Sequence, residues 1–187
     1  MPTVRLTVNG QPVPMIFVSP SQINAQLPYQ IEGNVTLILR TPGGVSDNFN
    51  LTLLPNAPSI FRTPVPGLDS GVPTIIRARN QELVTLSNPI HRDDTITIYL
   101  TGLGNTLPAV EAGTAASSSA SPVAVVQPTV QIGSEELTIE FAGLAPGQVG
   151  VYQINAHVPR NVPVGLDVPL TVRQGGQATQ VSVRVIN

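Results

Sequence analysis

The 187-residue chain has no cysteine, no tryptophan and no lysine, and all nine of its basic residues are arginine. Without cysteine there is no disulfide framework and no thiolate-bound zinc, although this leaves the compartment open, because many exported bacterial β-proteins do without disulfides. Charge is scarce: charged residues make up 11% of the chain and the net charge is only -2, where ordinary soluble domains carry roughly 25% charged residues. No concentrated basic stripe exists, which excludes a nucleic-acid surface. Apolar runs of the roughly 18 residues needed to cross a bilayer are missing, as is a basic-then-apolar leader at the amino terminus. The chain reads as the mature part, or an excised part, of a longer one, with no membrane insertion of its own.

What is present is proline (19 residues), glycine (16) and a 41% share of hydrophobic residues in short Val, Ile and Leu runs. Proline and glycine punctuate those runs, the pattern of strands and turns rather than of helices. Alternation places Ile96, Ile98 and Leu100 on one face of a strand and Thr95, Thr97 and Tyr99 on the other. It likewise sets Val181, Val183 and Val185 against Gln180, Ser182 and Arg184. Closely spaced strands of this kind predict an all-β fold of antiparallel sandwich modules. Residues 111–127 begin with small polar side chains and are predicted to form an exposed loop or hairpin excursion.

The chain also repeats itself. QINAQLP at Gln22 returns as QINAHVP at Gln153, identical at five of seven positions. Downstream, GNVTLILRTPGG at Gly33 answers to GLDVPLTVRQGG at Gly165, and FNLTLLP to QVSVRVIN. Upstream, PTVRLTVNG at Pro2 answers to PTVQIGSEE at Pro128, each followed by an apolar strand. The second copy alone has a lead-in, comprising APSIFRT from Ala57, PTIIRAR from Pro73 and DTITIYLTGLG from Asp94. Equivalence of the copies predicts two units: residues 1–56, the trailing half of a module whose leading strands lie upstream of Met1, and residues 57–187, a complete module.

Candidate chemistry is thin. A Ser, His and acid triad could draw only on His91 and His157, with no G-x-S-x-G elbow. Glu135, Glu136 and Glu140 could supply a carboxylate pair, but the first two lie in a turn and read as solvated charge. His91, Asp93 and Asp94 form the one cluster of metal-ligand character, and calcium would need a longer series of spaced oxygens. TGLGNTLP lacks the lysine and following helix of a phosphate loop and is predicted to be a β-turn, and the glycines and proline of AGLAPGQVG suit a sandwich corner. No catalytic, cofactor-binding or metal residue is predicted, and no cofactor.

One polar pattern stands out. Alternation through the repeated motif puts Tyr152, Ile154, Ala156 and Val158 on one face and Gln153, Asn155 and His157 on the other. In the first copy Ile23, Ala25 and Leu27 oppose Gln22, Asn24 and Gln26. Such amides either satisfy loops and an intermodule contact or bind sugar hydroxyls or peptide backbone.

The pieces VNGQPVPMIFVSPSQINAQLPY, NAPSIF, DDTITIYLTGLGNTLP, FAGLAPGQVGVYQINAHVP and the closing strand pair together resemble the repeated Solibacter-type C-terminal domain of secreted acidobacterial proteins. The resemblance covers essentially the whole chain. It implies immunoglobulin-like modules, similar to those called IPT or TIG, at the end of long extracellular proteins, with no enzymatic activity. The chain departs from the family in carrying Arg92 and Asp93 where a glycine turn usually precedes Asp94. The expected function is a non-enzymatic structural or interaction module, used for spacing, adhesion or assembly, of a secreted or cell-surface protein. Its expected partners are other protein domains or copies of itself, with strand donation by another copy as one way to complete the half module. The alternative is a carbohydrate-binding module serving a polysaccharide-active enzyme, disfavoured by the shortage of aromatic side chains for stacking on sugars.

Overall fold

The alternating segments form strands throughout the computed structural model, which describes residues 4–187. No helix forms among the described residues, and the chain is all-β and sandwich-like. The lead-in and second repeat make two facing sheets. In the first, Thr95–Thr101 lies between Ile75–Arg77 and Tyr152–His157, and Thr138–Leu144 follows on the far side of Tyr152–His157. In the second, Gly165–Gln174 lies between Gln177–Ile186 and Thr129–Ile132.

The faces that alternation assigned inward meet between these sheets. Ile96, Ile98, Leu100, Ile154 and Ala156 from one sheet, and Val130, Ile132, Leu170 and Val172 from the other, have no exposed surface. Each large aliphatic side chain buried this way contributes about 1.5–3 kcal/mol, so this interface is the main source of stability. A buried ion pair pins its edge: the Arg77 guanidinium donates Nε to Asp94 Oδ2 at 2.7 Å and Nη2 to Asp94 Oδ1 at 3.1 Å, while the His91 amide also donates to Asp94 Oδ2 at 2.7 Å.

The first repeat is thinner. Gly33–Thr41 pairs with Arg5–Val8 on one side and Phe49–Leu53 on the other, and Met15–Val18 forms a separate hairpin with Ile23–Ala25. Among its described residues the buried hydrophobic side chains are Val8, Val13 and Val35, with Leu6, Leu27, Leu37 and Leu53 among the partly exposed side chains packed on them.

The pairing also repeats between the two copies, in a frame two residues off the match of Pro2 to Pro128 and one residue off the match of Gly33 to Gly165. Leu6 opposes Leu39 as Val130 opposes Val172, and Val8 opposes Leu37 as Ile132 opposes Leu170. The Val13 amide donates to the Leu6 carbonyl as the Leu137 amide does to Val130. Both hairpins carry a register shift at the same place, between Met15 and Phe17 and between Ile139 and Phe141. Beyond each QINA motif the same turn closes, Ile31 donating to Pro28 and Val162 to Pro159. Of the upstream similarity, the part on Pro2 and Thr3 lies outside the described residues.

Three local expectations need refinement. Most of residues 111–127 is exposed, but Ala116 and Ala124 are buried and Val123 pairs with Gly143, which fastens the excursion to the sheet. TGLGNTLP is more than a turn, since the incoming chain lies against it: Ala57 donates to the Gly102 carbonyl at 2.8 Å, and a Cβ on Gly102, at φ +83°, would overlap the Ala57 carbonyl. The residues that resembled a metal cluster are held apart: Asp94 faces Arg77, while Asp93, at φ 65°, pairs with Arg160 on the surface. That left-handed φ is the conformation glycine adopts without strain.

Candidate functional site

A cleft of about 890 Å³ opens where the two repeats meet. Ala25, Leu27, Ile31 and Leu53 form one wall, and Phe61, Gly102 and Tyr152 belong to the other. No carboxylate, imidazole or guanidinium lines it; its ionisable side chains are Tyr29 and Tyr152. The two rings meet edge to face, with centroids 6.5 Å apart and planes at 89°, a favoured aromatic geometry. Burial pushes the pKa of both phenols up; the Gln26 amide partly offsets this at Tyr29, and proximity to Tyr29 adds to it at Tyr152. Both hydroxyls therefore keep their protons at neutral pH. Tyr152 donates its own to the Gly104 carbonyl.

Of the amide stripe, Gln26 is the most deeply placed, at 8% exposure. Its Oε1 accepts the Gly113 amide at 2.6 Å and its Nε2 donates to the Tyr29 hydroxyl at 2.5 Å, so one side chain bridges the two repeats. Gly150 makes room for it, since a Cβ there would stand 3.1 Å from Gln26 Cδ at φ +67°. Asn155 accepts the Thr97 hydroxyl at 3.0 Å inside its own sheet. Gln22 donates to Asn24 at 2.6 Å, and both are exposed. Gln153 and His157 are half-buried, in register with Tyr99 and Thr95. The six residues thus form no single surface: Gln26 is in the junction, Gln22 and Asn24 are on an open strand, and Gln153, Asn155 and His157 lie across the larger sheet.

Alternation could not reveal Tyr29, Gly113 or Gly150, because their contacts join segments far apart in the chain. One signal was present: after the shared proline, the first copy has Tyr29 where the second has Arg160. Among the described residues no helix is long and apolar enough to cross a membrane, and no group of three or more His, Asp or Glu is placed to hold a metal ion. Comparisons with protein-family models, with curated proteins and with solved structures find no match to this chain.

Proposed function

We propose that the chain is a non-enzymatic structural and interaction module, built of immunoglobulin-like sandwich units, that spaces or presents other parts of a secreted or cell-surface bacterial protein. The observation that carries this reading is the set of contacts that bridge the two repeats. Gln26 bridges to Gly113, Tyr29 packs on Tyr152, and Asn56 donates Nδ2 to the Leu103 carbonyl at 3.0 Å, so the connecting chain is tied down as well. Buried hydrogen bonds and aromatic packing of this kind favour one relative orientation, which is what a spacer needs. The cleft beside the junction offers apolar walls and protonated phenols, a surface suited to contact rather than to acid–base chemistry. The exported location follows from the resemblance to the acidobacterial domain.

The glycan-binding alternative loses two of its amides, because Gln26 and Asn155 are already engaged within the chain, whereas Gln22 and Asn24 are exposed. Residual dipolar couplings test the spacer reading. A single alignment tensor should fit both repeats, and Gln26→Ala combined with Tyr29→Ala should split it in two. Two independent tensors for the unaltered chain would refute the reading.

A further inference from the structure

The two repeats share a pairing pattern but differ in what covers them. In the second, Ile154, Ala156, Val158 and Val162 are wholly buried, and Ala142 and Val185 are 1% exposed. Their counterparts by register, Ile23, Ala25, Leu27, Ile31 and Leu53, are partly exposed, and Val18, the counterpart of Ala142, is 44% exposed. One strand accounts for much of this difference. Thr95–Thr101 runs along the outer edge of Tyr152–His157, Ile96 opposite Ala156 and Ile98 opposite Ile154. Among the described residues, Ile23–Ala25 pairs with Met15–Val18 alone.

The open edge has its hydrogen-bonding groups in the matching phase. Along an antiparallel strand, alternate residues point their N–H and C=O groups to the same side. Val158 donates to the Asp94 carbonyl at 2.8 Å and accepts from the Asp93 amide at 3.0 Å, so Val158, Ala156 and Ile154 face the covering strand. In the first repeat the Gln26 amide donates the other way, to Pro14 at 3.0 Å. Leu27, Ala25 and Ile23 therefore direct their groups toward the open edge, above the apolar wall of the cleft.

We infer that this edge and wall are a docking site for one extended segment of a partner polypeptide, added antiparallel to Ile23–Ala25 with an uncharged β-branched residue or leucine at every second position. The inference rests on the interaction-module reading and gives its partner a chemistry. The second repeat supplies the template, because the same seat there is filled by TITIYLT with its isoleucines and leucine inward. Charge sets a further requirement: no charged side chain lines the cleft, so a charged inward residue on the segment would be buried without a partner. The cleft is also continuous with the junction, so a docked strand would extend an interface already formed. A second copy of the chain is a poor donor, since its own Thr95–Thr101 lies between two strands with Ile96, Ile98 and Leu100 wholly buried.

The probe is a synthetic peptide of sequence TITIYLT with short polar flanks, titrated into the full chain by calorimetry. Light scattering and amide hydrogen exchange accompany the titration. One-to-one binding is expected, with slowed exchange at Ile23, Ala25 and Leu27. Replacing the three inward residues of the peptide by serine should weaken binding at least fiftyfold, and N-methylation of its edge-facing amides should abolish it. These changes are on the peptide, so they hold whether or not an Ala25→Pro variant folds. Absence of binding, or binding that leaves those amides unprotected, overturns the inference. So does a dimer of the free chain with the same amides already protected, which would make a second copy the occupant. The dipolar couplings report on the spacer role separately, so a single alignment tensor with no peptide binding would sink this site alone.

Discussion

Ile23 and Ile154 occupy the same place in the repeated motif, and their substitution by alanine is expected to have different consequences. Ile154 is wholly buried, with Ile98 opposite it on one side and Ala142 on the other. Ile154→Ala removes three carbons and leaves a cavity that a well-packed core closes only in part, a loss of about 3–4 kcal/mol. At the roughly 2–4 °C per kcal/mol of a chain this size, the melting temperature should fall by roughly 10 °C. Ile23 has Val18 opposite it and is partly exposed on a face with an open edge. Ile23→Ala loses only part of a transfer term and leaves no sealed cavity, a cost of about 1 kcal/mol. Urea unfolding followed by far-UV circular dichroism gives both values, and amide exchange assigns each loss to its repeat. Equal losses, or a larger one at Ile23, would refute the claim that the first repeat presents an open apolar face.

Asp94→Ala should destabilise the second repeat by about 3–5 kcal/mol in the same unfolding assay, because it leaves the Arg77 guanidinium buried without its carboxylate. Arg77→Met combined with Asp94→Leu should recover a large part of that loss. Gly102→Ala should cost at least about 2 kcal/mol, since the added methyl meets the Ala57 carbonyl at a positive φ; thermal unfolding checks it. Tyr29 and Tyr152 hold their protons more tightly folded than unfolded. Their contribution is therefore fully present below about pH 10, the unfolded value, and is lost as pH rises through it toward the raised folded values. Urea midpoints measured from pH 8 to 11 should fall at the alkaline end, and Tyr152→Phe should flatten that fall.

The strands of the larger sandwich were legible because each is covered on one face, and half-burial is what an alternating pattern encodes. Residues 152–158 alternate between fully and partly buried, as their sequence alternates between apolar and polar. The same pattern misleads in the first repeat. There Gln26, on the polar phase, is more buried than Ala25 or Leu27, because it alone of that side reaches the second repeat, at Gly113, while Gln22 and Asn24 stay exposed and the apolar side stays partly open to the cleft. The junction was hidden for a related reason: Gln26 belongs to the amide stripe, for which an intermodule contact was one reading, but its partner Gly113 lies 87 positions away and in no periodic pattern. The metal-like cluster misled in the opposite way, since adjacency in sequence says nothing about which way side chains turn. Asp94 turns inward to Arg77 and Asp93 outward to Arg160.

Positions where the two copies diverge carry information that the identical ones do not. Gln-Ile-Asn-Ala is unchanged between copies although Ile23 and Ile154 sit in different degrees of burial, so the motif reports the hairpin that both repeats build rather than its covering. The following positions report the covering. His157 and Arg160 in the second copy lie beside strands of their own module, Arg160 reaching Asp93 at 2.5 Å. Gln26 and Tyr29 replace them in the first copy, where the neighbours are Gly113, Gly150 and Tyr152. An amide that both donates and accepts, and a ring that packs edge to face, suit a contact with backbone and an aromatic; an imidazole and a guanidinium would bring charge into a junction that contains no carboxylate to receive it. Exchange of the two pairs should therefore harm the first repeat more than the second, because Gln and Tyr at positions 157 and 160 give up one surface ion pair, worth at most about 1 kcal/mol, whereas His and Arg at positions 26 and 29 would open the junction itself.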